Sequence, residues 1–351
     1  MNKESKPQAE YRERIRQIKS RLGSRLIILT HHYQNSRIVE LGDYVGDSFG
    51  LARRAASDTK AEYIVFCGVH FMAESTAILA RQEQRVQIPD AEAGCWMADM
   101  ADPYIVERSW EELTDLWAAK SVVPIAYMDS EAEIKAFCGR NKGLICTSSN
   151  AEKAFSRALE QEKRIFFLPD QYLGLNTADK LGIARGEVAI WEPGVARGGN
   201  SEEDLARARI VLWKGHCLVH TRFNTRMIEE MRQTRPAARI VVHPECTPEV
   251  VAAADASGST EFMVRYVEES SPGDEIVIGT ECNMIDRLRE HYRDRTILPL
   301  SRSFCPNMAK IDLQKLCYTL EHPGQVNVVR VDPEIAKQAR KALERMLALQ
   351  D

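Results

Sequence analysis

Short runs of aliphatic and β-branched residues, bounded by polar or turn-forming positions, alternate along this chain with longer segments of helical spacing. Three such runs open similar stretches, at residues 26–33 (LIILTHHY), 121–130 (SVVPIAYMDS) and 238–245 (ARIVVHPE). Each is followed by a helical segment and a second short strand whose polar tail starts another helix: YIVFCGVHFMAES from Tyr63, GLICTSSNAE from Gly143 and ADASGSTEF from Ala254. A third apolar run closes each stretch: RVQIPDAEAGC ending at Cys95, RIFFLPDQYLG from Arg164 and EIVIGTECN from Glu275. The pattern predicts an α/β protein of three related βαβαβ-type domains. Strands alternating with helices imply parallel sheets covered on both faces, in which polar residues at strand C-termini face the ligand crevice.

A chain of 351 residues suits two or three domains. The repeat places a first α/β domain at residues 1–110, with a charged helical extension over 1–22, a second at 111–215 and a third at 216–304. A C-terminal segment, 305–351, is expected to pack back on the core, its 333–349 stretch reading as an amphipathic helix. The Gly-rich polar stretch 193–204 (PGVARGGNSEED) reads as a loop or mobile insertion between the second and third units.

The strand ends carry the chemistry. The first strands end in His31 and Tyr33, in Tyr127 and Asp129, and in His243 and Glu245. Second strands run into Ser148 and Ser149, or into Ser259 and Thr260, ahead of helices whose exposed N–H groups attract anions; plain N-capping is the simpler role for these hydroxyls.

Charge and cysteine usage narrow the classes. With 47 basic and 51 acidic residues, net charge −4, the broad basic footprint of a nucleic-acid binder is missing. No apolar run approaches a membrane span of roughly 20 residues and no charged-then-apolar leader is visible, so a cytoplasmic protein is expected. Nine cysteines without a C-x-x-C pair suggest neither a disulfide framework nor a zinc ribbon, and any metal site must gather cysteines from distant segments. Three stand at matching places after the third strand of each unit: Cys95, Cys217 and Cys305. Cys246 and Cys282 lie close to the expected crevice and are second choices, while core packing suffices for Cys67, Cys138, Cys146 and Cys317.

Over about residues 25–335 the chain resembles the quinolinate synthase (quinolinate synthetase A) family. The resemblance is carried by H-H-Y-Q at His31, G-D-S at Gly46, F-C-G-V-H-F-M-A-E at Phe66, P-D-A-E-A-G-C ending at Cys95, C-T-S-S-N-A from Cys146 and F-L-P-D-Q-Y-L-G from Phe167. It continues with K-G-H-C-L-V-H from Lys214, V-H-P-E-C from Val242, G-S-T from Gly258, G-T-E from Gly279 and C-P-N-M from Cys305. No single motif is diagnostic; eleven in order are specific.

The resemblance implies three α/β domains around a pseudo-threefold axis, with the active site at the centre and a 4Fe-4S cluster held by Cys95, Cys217 and Cys305. Three cysteines leave one iron with an exchangeable site. The implied activity is that of a condensing transferase: iminoaspartate and dihydroxyacetone phosphate give quinolinate, phosphate and water in de novo NAD biosynthesis, with functional coupling to L-aspartate oxidase. No nucleic-acid or membrane partner is implied. Glu245 falls to the principal acid/base role; His31 and His243 to polarising oxygens; Tyr33 and Tyr127 to proton relay or orientation. Ser48, Ser148, Ser259 and Thr260 would hold phosphate or carboxylates, and His220 would line the pocket or support the cluster. One departure stands out: where the family pattern has Y-V-N, this chain has Tyr127-Met128-Asp129, an acid in place of an amide that could donate to a substrate carboxylate. A Schiff-base aldolase using Lys142 or Lys214 is disfavoured because neither lysine is placed at a strand end.

Overall fold

A computed structural model describes residues 6–117 and 121–349; the first five residues of the expected N-terminal extension lie outside them. The α/β class and the three parallel sheets are as the hydrophobic pattern predicts. The first sheet contains β1 (Leu26–His31), β2 (Tyr44–Gly46), β3 (Tyr63–Cys67) and β4 (Arg85–Gln87), in the order β2-β1-β3-β4. The second contains β5 (Val122–Tyr127), β6 (Leu144–Cys146), β7 (Arg164–Leu168), β8 (Val188–Trp191) and β9 (Ile210–Trp213), in the order β6-β5-β7-β9-β8. The third contains β10 (Arg239–Val242), β11 (Ala256–Ser257), β12 (Glu275–Gly279) and β13 (Thr296–Pro299), in the order β11-β10-β12-β13. All ladder pairings are parallel.

The central strands are apolar on both faces, as strands covered by helices on each side must be. β1 is buried along its whole length, as is β9. In each sheet the chain leaves the first strand toward one neighbour and returns to the other side, so a topological switch point opens at β1/β3, β5/β7 and β10/β12.

The repeat is therefore richer than three strands per unit, and two expectations need correction. In the first sheet a short strand, β2, intervenes after β1, so the stretches from Tyr63 and Arg85 form the third and fourth strands rather than the second and third. The candidate cysteines accordingly follow the fourth strand of the first and third sheets and, in the second sheet, β9. The Gly-rich stretch 193–204 does not separate the second and third units. It lies between β8 and β9, where it forms a 3-10 turn (Ala196–Gly199) and the start of a short helix (Glu202–Arg207).

The described residues divide into two compact units. The first holds residues up to Cys95, with Glu281–Arg287 and Phe304–Val331; the second holds Trp96–Thr280, Leu288–Ser303 and the chain from Asp332 onward. In the first, the helix Lys6–Leu22 buries Ile15 and Ile18 and packs against the helix Leu313–Glu321. In the second, Phe166 lies among Trp110, Trp191 and Trp213, with ring centroids 6.1–6.3 Å apart. Both buried indoles find acceptors, Trp191 at Ser109 Oγ (2.9 Å) and Trp213 at the Met100 carbonyl (2.8 Å). The amphipathic helix expected at the end of the chain is Pro333–Leu347, capped by Asp332, and it buries Ala339, Ala342, Leu343 and Met346. It crosses the helix Ala132–Arg140 at Gly139, where any Cβ would strike the Gln338 carbonyl.

Candidate active site

Within the second unit, the ends of β5, β7, β10 and β12 bring ionisable groups together. Glu245, three residues beyond β10, is 3% exposed. Its Oε2 lies 2.7 Å from His220 Nδ1, and the Tyr127 hydroxyl donates to the same carboxylate. His220 Nε2 lies 2.9 Å from Thr280 Oγ1. The ring is thus held at both nitrogens, by the carboxylate at Nδ1 and by the Thr280 hydroxyl at Nε2. The His243 ring stacks on His220 with centroids 4.3 Å apart, and its Nδ1 is 3.9 Å from Glu245 Oε1. The donor atoms of Cys217, His220 and Glu245 all lie within 4.8 Å of one another.

The loop bearing Glu245 is pinned from the helix Gln171–Lys180. Asn176 Nδ2 donates to the carbonyls of Pro244 (2.7 Å) and Cys246 (2.8 Å), the two residues flanking the carboxylate.

Burial sets the charge states. It pushes Glu245 upward, but the charges of His243 and His220 and hydrogen bonds from His220 and Tyr127 outweigh it and hold the carboxyl at about 2. Burial and the neighbouring His220 push His243 down to about 3, against the pull of Glu245. Near neutral pH the centre thus contains an ionised Glu245 beside an uncharged His243. Asp129 is driven the other way, well above the usual carboxylate range, first by burial and then by the charge of Glu245, with Lys135 opposing. Its Oδ1 is buried without a hydrogen-bond partner. Asp170, wholly buried after β7, is raised by burial and by Glu245, against backbone N–H donors including that of Cys217.

The edge strands show a regularity invisible in the misaligned repeat: Ser48, Ser148 and Ser259 each stand two residues past the end of β2, β6 and β11. Ser48 opens the helix Ser48–Ser57, whose cap is Asp47. Ser259 Oγ accepts from Phe262 N at 3.2 Å and so performs the simpler capping role, with Thr260 buried behind it. Ser148 is half-buried in the turn before the helix Ala151–Glu160, beside a Thr147–Ser149 hydroxyl pair at 2.7 Å.

In the first unit, His31 ends β1 buried, and Tyr33 meets it edge-on with ring centroids 4.8 Å apart. Asn283 Nδ2 holds the Tyr33 carbonyl at 3.2 Å. Glu281, wholly buried, accepts from Asn283 N at 2.7 Å and from the backbone N–H of Cys305 and Met284; burial nevertheless raises it to about 8.

All nine cysteines are described, and they form no disulfide. Cys95, Cys217 and Cys305 are partly exposed, whereas the other six are buried. Burial lifts the Cys67 and Cys138 thiols to about 12 and that of Cys246 still further, which disfavours the thiolate. Cys246 packs in the core with Val242, Val250 and Val277, and Cys282 is 1% exposed, so both second-choice cysteines read as core residues.

The residues missed in the sequence are Asp170, Thr280 and Glu281. All three follow the strand beside the switch point, and all lie in motifs already singled out, Asp170 in F-L-P-D and Thr280 and Glu281 in G-T-E. Lys214 also needs correction: it directly follows β9 and so does stand at a strand end, but its ammonium is paired with Glu192.

The fold and site define a parallel α/β protein with a buried acid–imidazole centre at its strand ends, next to a partly exposed thiol. The family model described as Quinolinate synthetase A protein matches residues 13–348. A quinolinate synthase of Geobacillus thermodenitrificans is 47% identical over 346 residues, covering 97% of this chain and 94% of that protein. One from a Nocardioides species is 48% identical over 349 residues, covering 96% and 89%. One from Streptomyces coelicolor is 46% identical over 344 residues, covering 96% and 87%. This chain belongs to the quinolinate synthetase A family.

Proposed function

We propose that the chain is a quinolinate synthase that condenses iminoaspartate with dihydroxyacetone phosphate, releasing phosphate and water, in de novo NAD biosynthesis. An oxidase acting on L-aspartate would supply the unstable imine. We assign a 4Fe-4S cluster to Cys95, Cys217 and Cys305. The observation that carries the cofactor reading is the exposure pattern: these three thiols alone among nine are partly exposed, and the donor set is thiolate sulfur, which suits iron–sulfur ligation. When bound, a cluster with three protein ligands supplies an open iron site that acts as a Lewis acid toward a substrate oxygen, nitrogen or carboxylate.

The chain's own residues supply the rest. Ionised Glu245 accepts a proton from carbon or hydroxyl, oriented by His220 and Tyr127; His220 keeps its tautomer through Thr280. Neutral His243 polarises an oxygen by donating N–H, as does His31, while Tyr33 orients the substrate. Asp129, held neutral, donates a hydrogen bond to a substrate carboxylate in the role an amide fills in the family pattern. Ser48, Ser148, Ser259 and Thr260, near helix starts, bind phosphate or carboxylate.

The test is anaerobic purification with iron, sulfide and zinc analysis, followed by quinolinate formation from the two substrates. Serine at Cys95, Cys217 or Cys305 should each abolish the intact cluster. A full cluster in any of the three variants would remove that cysteine from the ligand set. Zinc without sulfide would point to a mononuclear site at Cys217, His220 and Glu245.

A further inference from the structure

The third strand of each sheet is followed, two residues on, by the residue that precedes a helix: Val69 after β3, Asp170 after β7 and Glu281 after β12. Two of these are acids, and both are 0% exposed. A buried carboxyl is costly unless its oxygens are engaged. Asp170 Oδ1 accepts from Leu173 N (2.7 Å), an ordinary helix cap, but Oδ2 accepts from Cys217 N (3.2 Å), 47 residues away. Glu281 accepts from Asn283 N (2.7 Å) at its own helix start and also from the Cys305 N–H. The capping acids Asp102 and Asp312, by contrast, are exposed and receive local amides, those of Ile105 and Lys315. Below Cys217 the fit is tight, since a Cβ on Gly215 would strike the Pro169 carbonyl, while Gln171 N donates to the Gly215 carbonyl at 2.9 Å. In the first sheet the corresponding bond runs from His70 N to the Ala93 carbonyl (2.7 Å), and the residue at the acid's place is Val69.

We infer that Asp170 and Glu281 are positioning residues that clamp the backbone of Cys217 and of Cys305, each aiming one sulfur at the cluster. The inference rests on the iron–sulfur reading above. The carboxyl groups act through hydrogen bonds to the two amides and do not touch substrate. An amide side chain in either place offers its single oxygen to one N–H and turns an NH2 against the other.

Asp170→Asn and Glu281→Gln are compared with Asp102→Asn and Asp312→Asn, which disturb helix caps alone. From anaerobically reconstituted protein, iron transfer to a chelator should be about 10- to 100-fold faster in the first pair and unchanged in the second. In the full chain stripped of iron, alkylation of each cysteine is followed by mass spectrometry. Cys217 should label at a changed rate in Asp170→Asn and Cys305 in Glu281→Gln, each without the other. Native rates in both assays, or equal effects on both cysteines from either variant, would overturn the inference. If the native chain binds no iron and sulfide, the cofactor reading fails, and the labelling pattern still decides whether the clamps exist. Should Asp170→Asn be insoluble, Glu281→Gln decides by the same outcomes at Cys305.

Discussion

Asn176 holds the loop that carries Glu245, and its removal offers a quantitative test of the site's construction. The side chain is 3% exposed and its NH2 group spans two carbonyls, those of Pro244 and Cys246, at 2.7 and 2.8 Å. In Asn176→Ala both carbonyls lose this donor in a region closed to water. Two such bonds are worth about 1 kcal/mol each, and leaving the acceptors desolvated raises the total to about 2–4 kcal/mol. Alanine returns about 0.5 kcal/mol of helix propensity, leaving roughly 1.5–3.5 kcal/mol. Denaturant unfolding of the iron-free chain, followed by tryptophan fluorescence from the second unit, reads this directly. The freed loop should also let the Glu245 carboxylate drift from His220; a misplacement near 1 Å costs about 10²-fold in rate. A change below about 0.5 kcal/mol together with activity within twofold of native would show that Asn176 does not build the site.

Three further outcomes follow from the charge states. Glu245→Gln should keep its iron and sulfide yet lose turnover; near-native activity would remove Glu245 as the base. In Asp129→Asn, where the folded-state value is raised, the native chain carries a proton that the unfolded chain sheds above about 3.9, so its stability falls as pH rises through the folded value. The variant should lack that fall, by up to about 1.4 kcal/mol per pH unit, and should keep its activity at alkaline pH; matching slopes in urea titrations would contradict a neutral Asp129. His243 has the opposite sign: its folded value of about 3 lies below the usual 6.5, so its share of stability is present above 6.5 and lost as pH falls toward 3. His243→Gln should unfold with a shallower acid limb over that window, and an unchanged limb would mean the ring is not buried neutral.

The hydrophobic pattern revealed the long, doubly covered strands, because a parallel sheet forces apolar residues onto both faces of β1, β7 and β12. It failed where that force is weak. β2 is a three-residue edge strand beginning at an exposed tyrosine, with no apolar run to mark it, and missing it shifted the first unit by one strand. β8 alternates buried and half-buried positions at the sheet edge, so the Gly-rich stretch behind it looked like a boundary. The ionisable pairs were legible only as members of strand ends. That Glu245 meets His220 and Tyr127 depends on β5, β10 and the Cys217 loop converging, which no local window contains. Asp170 and Glu281 carried no signal of their own, because nothing in a sequence distinguishes a carboxylate facing water from one facing three backbone amides.

The stacked imidazoles of His220 and His243 share one carboxylate between them, and their rings are too close for both to be cations. The stack therefore takes up at most one proton beyond its neutral state: a cation on either ring excludes a second on the other, so two imidazoles side by side behave as a single titrating site.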